Sequence, residues 1–238
     1  MDLETVRKIE LVATNKDICL YKRAYASAIL VTTHASLRFD DVQSLRTFER
    51  NDDSIYGTLT SSKAKKQHCL NWPRACPLTG VTGATDWAQS LLDMRSACRK
   101  VSGVDMRYLF HRLDYTWTLV AEGPSPYSTT RRKLAILRAG LGGPMGESYT
   151  MHSPKNLFPT AANQMSFGQI ELTIIGRWPL TARMPDRYDH SVWPNEMLLR
   201  NTIVRKFATG WVPAPAYHIP TTVAGRVRVG KDVETVNV

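Results

Sequence analysis

A helix start that carries a histidine and a lysine, in the segment HSPK, is the feature that most constrains the fold of this 238-residue chain. Ser153 is a good helix N-cap, and Pro154 suits the first helical position. We therefore predict a helix from Lys155 towards Met165. His152 would then lie just outside the helix N-terminus, where backbone N–H groups and the helix dipole favour an anion.

Other parts of the chain supply groups suited to phosphodiester chemistry. Arg38 lies in LRFDD, Lys63 in TSSKAKK, Arg177 and Trp178 in GRW, and Tyr188 is ten residues beyond that tryptophan. A tyrosine that attacks a phosphodiester forms a covalent phosphotyrosine and conserves the bond for rejoining. Cationic side chains stabilise the charge that develops on the non-bridging oxygens, and a lysine can protonate the leaving 5′ oxygen. This chemistry requires no metal and no other cofactor.

The charge balance favours a polyanionic partner. The chain has 31 Lys and Arg against 21 Asp and Glu, which gives a net charge of +10. Such a surplus attracts nucleic acid, although a soluble protein that is merely basic would have the same balance. The basic residues cluster in Lys63–Lys66, Arg95–Lys100, Arg131–Lys133 and Arg200–Lys206. Each cluster, taken alone, is typical of a solvated face.

Several classes of protein are disfavoured by the sequence. No run of about 18 apolar residues is present, so we expect no membrane span. The charged start MDLETVRKIE lacks a secretory signal, which predicts an intracellular protein. Cys69 and Cys76 are spaced more widely than a zinc-binding pair, so we expect no metal site. The segment GLGGPMG lacks the Lys of a nucleotide-binding loop, and no small-molecule substrate is expected.

The pattern of apolar and turn-forming residues predicts a mainly helical α+β fold with a small three-stranded antiparallel sheet near residues 44–71. The predicted helices are 17–33 capped by Asp17, 87–99, 128–141 capped by Ser128, 155–165, 168–175 and 195–208. The predicted strands are 44–50, 54–61 and a third short strand after KAKK, whereas 71–86 is predicted as a loop and 101–127 as irregular.

In order and spacing, these residues resemble the catalytic domain of the tyrosine recombinase, or phage integrase, family, in the style of eukaryotic mobile elements. The family's ordered set is Arg, Lys, His-x-x-Arg, His or Trp, and Tyr. Trp178 follows His152 by 26 residues, and Tyr188 comes ten residues later, which suits that pattern closely. The resemblance spans about residues 17–207 and implies a DNA recombination and integration enzyme.

The resemblance assigns a role to each candidate residue. The implied roles are Tyr188 as nucleophile, Arg38 and Lys155 as phosphate ligands, Asp41 as the supporting acid, His152 as the group that shares the tyrosine proton, Lys63 as the proton donor to the leaving oxygen, and Trp178 or Arg177 as a further stabiliser of the transition state. Spacing favours Trp178 over Arg177, and an indole N–H can donate to a phosphate oxygen.

One departure from the family pattern leaves catalytic activity open. Lys155 stands where the family has its second Arg, and lysine lacks the planar fork that grips two phosphate oxygens. Two alternatives therefore remain beside the recombinase: a catalytically inactive DNA-binding remnant of a mobile element, and an enzyme similar to a type IB topoisomerase.

The resemblance also implies an organisation and a setting. Residues 1–16 would be an N-terminal remnant or linker, residues 17–210 the catalytic domain, and residues 211–238 a C-terminal tail. Double-stranded DNA would be the partner, and family members act as homo-oligomers, with a tetramer assembled on two duplexes. The nucleus would be the location in a eukaryotic source.

Overall fold

The computed structural model describes residues 1–43, 45–51, 54–59, 72–77, 79–102, 108–142, 149–176 and 192–214. The helices in these ranges are α1 Leu3–Thr14, α2 Leu20–His34, α3 Phe39–Gln43, α4 Gln89–Ser102, α5 Tyr127–Ala139, α6 Leu157–Gln164, α7 Gln169–Gly176 and α8 Val192–Ala208. The strands are β1 Leu45–Arg50, β2 Ser54–Leu59, β3 Trp72–Pro77, β4 His111–Leu113 and β5 Leu119–Pro124. No described helix has the length and apolarity that a membrane crossing needs.

Helix α2 is the centre of the core. Every residue from Ala24 to His34 is buried, so the helix is enclosed on all sides rather than amphipathic. Helices α1 and α4 pack against it. On the apolar stripe of α1, Leu3, Val6 and Ile9 are each at most 1% exposed. Helix α1 therefore contributes to the same core as α2.

The three-stranded antiparallel sheet is present, with strand order β1-β2-β3. Strands β1 and β2 match the predicted positions, but the third strand is Trp72–Pro77, inside a segment predicted as a loop because of its prolines. A proline is tolerated in an edge strand, where its missing N–H removes no ladder hydrogen bond. The edge position of β3 in the described sheet explains why its prolines led to the wrong prediction of a loop.

A second antiparallel hairpin, β4–β5, lies in the segment predicted as irregular. Strand β4 has only three residues, too few for an alternating pattern to stand out. The turn also lacks the usual glycine, because Trp117 takes the left-handed conformation at φ 65°. The two common sequence signals for a hairpin, an alternating pattern and a glycine in the turn, were therefore not available to the prediction.

Six of the eight described helices lie close to their predicted positions, whereas α1 and α3 were not predicted. All three predicted caps are wrong, and Ser128 lies inside α5, which begins at Tyr127 with Pro126 at the N-cap. Helix α2 begins at Leu20 rather than at Asp17. The hydroxyl of Ser153 does not cap a helix and instead accepts the N–H of Thr150 at 3.1 Å. A 3₁₀ turn, Pro154–Asn156, therefore precedes α6, so Lys155 lies in this turn rather than in an α-helix. Local side-chain hydrogen bonds of serine compete with capping in this way.

The described start of the predicted C-terminal tail is packed. Trp211 stacks on Phe207 with ring centroids 6.0 Å apart. The side-chain amide of Gln164 donates to the carbonyl of Ala214 at 2.9 Å and accepts its N–H at 2.7 Å. Residues 211–214 are thus attached to α6 and α8.

A buried carboxylate connects α1 to the loop that leads into α4. Glu10 is fully buried and accepts the N–H of Val81 at 2.7 Å, the N–H of Thr82 at 3.1 Å and the Thr82 hydroxyl. Burial raises the pKa of this carboxyl, although these donors act in the opposite direction. Gly80 is required here because a Cβ at that position would overlap the Glu10 carboxylate.

We predict that Glu10→Ala lowers the free energy of unfolding by about 1–3 kcal/mol, because buried N–H donors lose their acceptor. Urea denaturation followed by circular dichroism measures this change. Glu4→Ala is the matched control, since Glu4 lies on the exposed face of the same helix. Its effect should stay within about 0.5 kcal/mol. Equal stability of the two variants would contradict the anchoring role of Glu10.

Candidate functional site

The structure describes three of the predicted catalytic residues, Arg38, His152 and Lys155, and the predicted supporting acid Asp41. Lys63, Arg177, Trp178 and Tyr188 lie outside the described residues. Arg38 and His152 are exposed, whereas Lys155 is 7% exposed. Arg38 follows the C-terminus of α2, and the 3₁₀ turn that contains Lys155 packs against α2. The three residues are thus carried by adjoining elements.

The backbone of Arg38 is held at the start of α3. The carboxylate of Asp41 accepts the N–H of Arg38 at 3.1 Å, and the Arg38 carbonyl accepts the N–H of Val42 at 3.0 Å. This is the half of a capping box in which the third helical residue bonds back to the N-cap. The predicted supporting acid therefore contacts Arg38 through the backbone and leaves the guanidinium at an exposed position.

Helix α3 is attached to the β4–β5 hairpin and to α5. The ring of Phe39 lies 6.0 Å from that of Phe110 and 5.3 Å from that of Tyr127. The amide nitrogen of Gln43 donates to the carbonyls of Phe110 at 3.3 Å and Ser125 at 3.0 Å, and its amide oxygen accepts the Phe110 N–H at 3.3 Å. These contacts on the residues after Arg38 restrict its position from one side.

On the other side, the chain leaves α2 through a tight reversal. Ser36 has φ 49°, and the N–H groups of Ser36 and Leu37 bond to the carbonyls of Thr33 and Thr32 at 3.1 and 3.0 Å. This is a Schellman motif, in which glycine is the usual residue at the left-handed position. Serine at this position has an energetic cost that the surrounding contacts must offset.

A fully buried arginine on α8 supplies those contacts. Arg200 is 0% exposed, and its guanidinium donates to the carbonyls of His34 and Ala35, the latter at 3.4 Å, and to the Ser36 hydroxyl at 3.2 Å. Glu196, one helical turn earlier, accepts from Arg200 Nε at 2.9 Å and neutralises the charge. The reversal that leads to Arg38 is therefore bound to α8.

The same guanidinium extends to two other elements of the site. It donates to the carbonyl of Ile175 at 3.0 Å, in the last turn of α7 and two residues before Arg177. It also lies 5.8 Å from the ring centroid of Phe158, three residues after Lys155. Arg200 thus contacts chain segments next to three predicted site positions: Arg38, Lys155 and the Arg177–Trp178 pair.

A neutral histidine lies beside this arginine. His34 stacks on Trp87 at 4.8 Å and lies 5.1 Å from Phe158. Burial, together with the charge of Arg200, lowers its pKa to about 3. Within the described part of the chain, neither ring nitrogen of His34 has a hydrogen-bond partner. His34 is therefore an apolar packing group at neutral pH rather than a proton donor.

His152 and Lys155 are held by a compact turn. The N–H of His152 donates to the Thr150 hydroxyl at 3.2 Å, and the His152 carbonyl accepts the N–H of Lys155 at 3.2 Å. The N-terminal ammonium of Met1 donates to the Ser153 carbonyl at 3.3 Å. These bonds define the backbone of both candidate residues. Among the described residues, no cluster of three or more His, Cys, Asp or Glu side chains could hold a metal.

The sequence analysis missed the residues that position the site. Arg200 was placed in a basic cluster interpreted as a solvated face, and this was wrong for Arg200 although Arg205 and Lys206 are exposed. The spacing of Glu196 and Arg200 is that of a helical ion pair, which was an available signal. Most such pairs are exposed, so the spacing alone does not indicate burial.

The fold can be compared with solved structures. XerH site-specific recombinase bound to difH, in a pre-cleavage complex, matches with a TM-score of 0.51 at 14% identity over 73% of this chain and 45% of the XerH chain. The post-cleavage complex of XerH with palindromic difH matches with a TM-score of 0.50 at 12% identity over 87% and 50%. This chain spans about half the length of those chains.

No protein-family model matches the chain, and no curated protein matches it in sequence. The structural similarity establishes the fold: a mainly helical domain with a small antiparallel sheet, as in the catalytic domain of tyrosine recombinases. The predicted fold class is confirmed.

We predict that Arg200→Met lowers the free energy of unfolding by about 3–5 kcal/mol, because the buried Glu196 then loses the charge of Arg200 and buried carbonyls lose their donor. Chemical denaturation measures the loss. Arg205→Met is the matched control, since Arg205 is exposed on the same helix, and its effect should stay within about 0.5 kcal/mol. The double variant Arg200→Met/Glu196→Leu should recover part of the loss. A single variant as stable as the control would contradict the role assigned to Arg200.

We also predict that His34→Phe weakens the loss of stability in acid. The unfolded chain protonates His34 near pH 6.5, whereas the folded protein resists protonation until about pH 3. Stability is therefore lost as pH falls between these values, and His34 accounts for about 2 kcal/mol of the loss between pH 7 and pH 5. Urea unfolding at both pH values measures the difference. An unchanged pH dependence in His34→Phe would contradict this prediction.

Proposed function

We propose that the chain binds double-stranded DNA and performs site-specific cleavage and rejoining through a 3′-phosphotyrosine intermediate. The observation that carries the proposal is the recombinase fold on a chain in which Arg38, Lys63, His152, Trp178 and Tyr188 follow the family order. The XerH chains of similar fold are site-specific recombinases bound to difH. The net charge of +10 also supports a DNA partner.

In the proposed reaction, Tyr188 attacks the phosphorus of a backbone phosphodiester. The bond from the tyrosine oxygen to phosphorus forms as the bond to the 5′ oxygen breaks. His152 accepts the tyrosine proton, and Lys63 donates a proton to the leaving 5′ oxygen. Attack by a 5′ hydroxyl reverses these steps and releases the tyrosine. Because the phosphodiester bond is exchanged rather than hydrolysed, the reaction needs no energy source.

The cationic groups would stabilise the charge that develops on the phosphate. Arg38 supports this role because its side chain is exposed and its backbone is held by Asp41 and by the anchored α3. Lys155 would supply the second charge, and Trp178 or Arg177 a further donor. A lysine gives one point charge where arginine gives a planar pair of donors. We therefore expect cleavage to be slower than in an enzyme with arginine at position 155.

The second candidate function is a non-catalytic DNA-binding remnant of a mobile element, and Lys155 is the residue that favours it. A third is an enzyme similar to a type IB topoisomerase, which would relax supercoiled plasmid without pairing two sites. Recombination would instead require a homo-oligomer, proposed as a tetramer on two duplexes. We also propose that the protein is intracellular and that it would be located in the nucleus of a eukaryotic source.

We predict that a suicide DNA substrate, nicked so that rejoining is blocked, accumulates a covalent complex with the wild-type chain. Tyr188→Phe should abolish this complex, because phenylalanine has no attacking oxygen. Denaturing gel electrophoresis of labelled DNA detects the adduct. Tyr127→Phe is the control and should retain it. Salt-sensitive binding of DNA without any adduct would support the remnant and reject the enzyme. Relaxation of a plasmid that lacks paired sites would support the topoisomerase.

We further predict that Arg38→Ala lowers the rate of adduct formation roughly 100- to 1,000-fold, as loss of a transition-state donor does elsewhere. Lys155→Arg should raise the rate, since the guanidinium restores two parallel donors. Single-turnover kinetics with the suicide substrate measures both. Lys16→Ala, at an exposed position outside the candidate set, is the control and should leave the rate unchanged. A normal rate in Arg38→Ala would remove Arg38 from the site.

A further inference from the structure

The tip of the β4–β5 hairpin forms a second surface with the chemistry of a nucleic-acid contact. We call it the hairpin surface and define it as residues 114–118 with the nearby cations Lys22, Arg112, Arg132 and Lys133. None of these residues belongs to the proposed cleavage site. The surface combines a rigid turn, an exposed aromatic ring and a surplus of positive charge.

The turn is held by one aspartate. The carboxylate oxygen Oδ1 of Asp114 accepts the N–H of Thr116 at 2.9 Å, the Thr116 hydroxyl at 2.7 Å and the N–H of Thr118 at 2.8 Å. The N–H of Asp114 donates to the carbonyl of Thr118 at 2.9 Å and closes the loop. The Thr116 hydroxyl, followed by the backbone donors, lowers the pKa of Asp114, so the turn keeps its ionised acceptor at neutral pH.

Trp117 fixes the turn onto the body of the protein. It has φ 65°, a conformation that is costly for a tryptophan and that its surroundings must maintain. Its ring meets Tyr25 edge-on at 5.3 Å, and the ammonium groups of Lys133 and Lys22 lie 4.4 and 5.9 Å from its centroid. Lys133 also donates to the carbonyl of Asp114. The side chains of Asp114, Trp117, Tyr25 and Lys133 thus hold the tip of the hairpin in one conformation.

This rigid turn presents Tyr115 to solvent. The residue is 86% exposed, the highest exposure among the large hydrophobic side chains described. Val120, on the adjoining strand, is 64% exposed. An aromatic ring held on an ordered turn loses little conformational entropy when it stacks on a partner. The arrangement is therefore preorganised for a contact with a flat ring.

The hairpin surface also carries positive charge. Arg112 is exposed on β4, and Arg132 is exposed on α5. Burial lowers the pKa of Lys133, Asp114 raises it and the charge of Arg132 lowers it, which places these groups within electrostatic range of one another. Lys133 is only 4% exposed, so the cations that a ligand can reach are Arg112, Arg132 and the half-buried Lys22, beside one carboxylate. This imbalance favours a polyanion over a protein surface of mixed charge.

We propose that the hairpin surface binds an unpaired nucleotide of the DNA substrate, with Tyr115 stacked on the base and the exposed Arg112 and Arg132 against the phosphates. In the interior of a duplex both faces of each base are covered, so there an exposed tyrosine can stack only on a base that has left the helix. Stacking on aromatic side chains combined with basic contacts is the usual mode of single-strand binding. The inference rests on the proposed function, because strand cleavage creates the ends that expose such bases.

Fluorescence anisotropy with two probes tests the proposal: a blunt labelled duplex, and the same duplex with a short single-stranded thymidine tail. The wild-type chain should bind the tailed probe more tightly. Tyr115→Ala should weaken binding to the tailed probe about five-fold or more, and binding to the blunt probe should not change. Tyr115→Phe should keep the preference, because it retains the ring. Leu11→Ala removes another exposed side chain, on α1, and should behave as wild type.

The outcomes separate this inference from the proposed function. If the wild type binds both probes equally and Tyr115→Ala has no effect, the hairpin surface is not a nucleotide site, although DNA binding stands. If the wild type binds neither probe, both proposals fail. If Tyr115→Ala instead reduces self-association in analytical ultracentrifugation and leaves both affinities unchanged, the surface is a protein contact and the inference is overturned. Near-identical thermal unfolding of the variants verifies that each is folded.

Discussion

The guanidinium of Arg200 is the interaction on which the rest of the candidate site depends. It is fully buried, is paired with Glu196, and donates to backbone carbonyls at the end of α2 and in the last turn of α7. A single rigid fork with five N–H donors can satisfy carbonyls from separate segments at once. Because a buried charge without these partners would be very unfavourable, the pair and its acceptors must form together when the chain folds.

Arg38 lies between two anchors that come from different parts of the chain. Before it, Arg200 binds the reversal at Ser36; after it, Gln43 and Phe39 attach α3 to the β4–β5 hairpin and α5. An exposed arginine has many rotamers, but a fixed backbone restricts where its guanidinium can reach. The β4–β5 hairpin therefore has two proposed roles in DNA binding. The residues at the end of the hairpin opposite its tip position Arg38, and the tip presents Tyr115.

Much of the fold could be predicted because local signals were strong. Helical patterns located six of the eight described helices, and strand-like composition around a polar turn located β1 and β2. The third strand was placed too early in the chain because edge position tolerates proline. The second hairpin was missed because packing on Tyr25 stabilises Trp117 in a glycine-like conformation. The predicted helix over 155–165 is divided because the Ser153 hydroxyl bonds to Thr150 instead of capping the helix.

The sequence by itself determined the order of the candidate groups from Arg38 to Tyr188, the surplus of positive charge and the mainly helical class, since each is a property of residue type and spacing. Only the tertiary structure decided that Arg200 is interior, that Lys155 is largely buried while His152 is exposed, and that Trp117 has its strained conformation. The physical reason is that burial and strain depend on contacts between segments far apart in the chain. The spacing of residues along the sequence does not reveal those contacts.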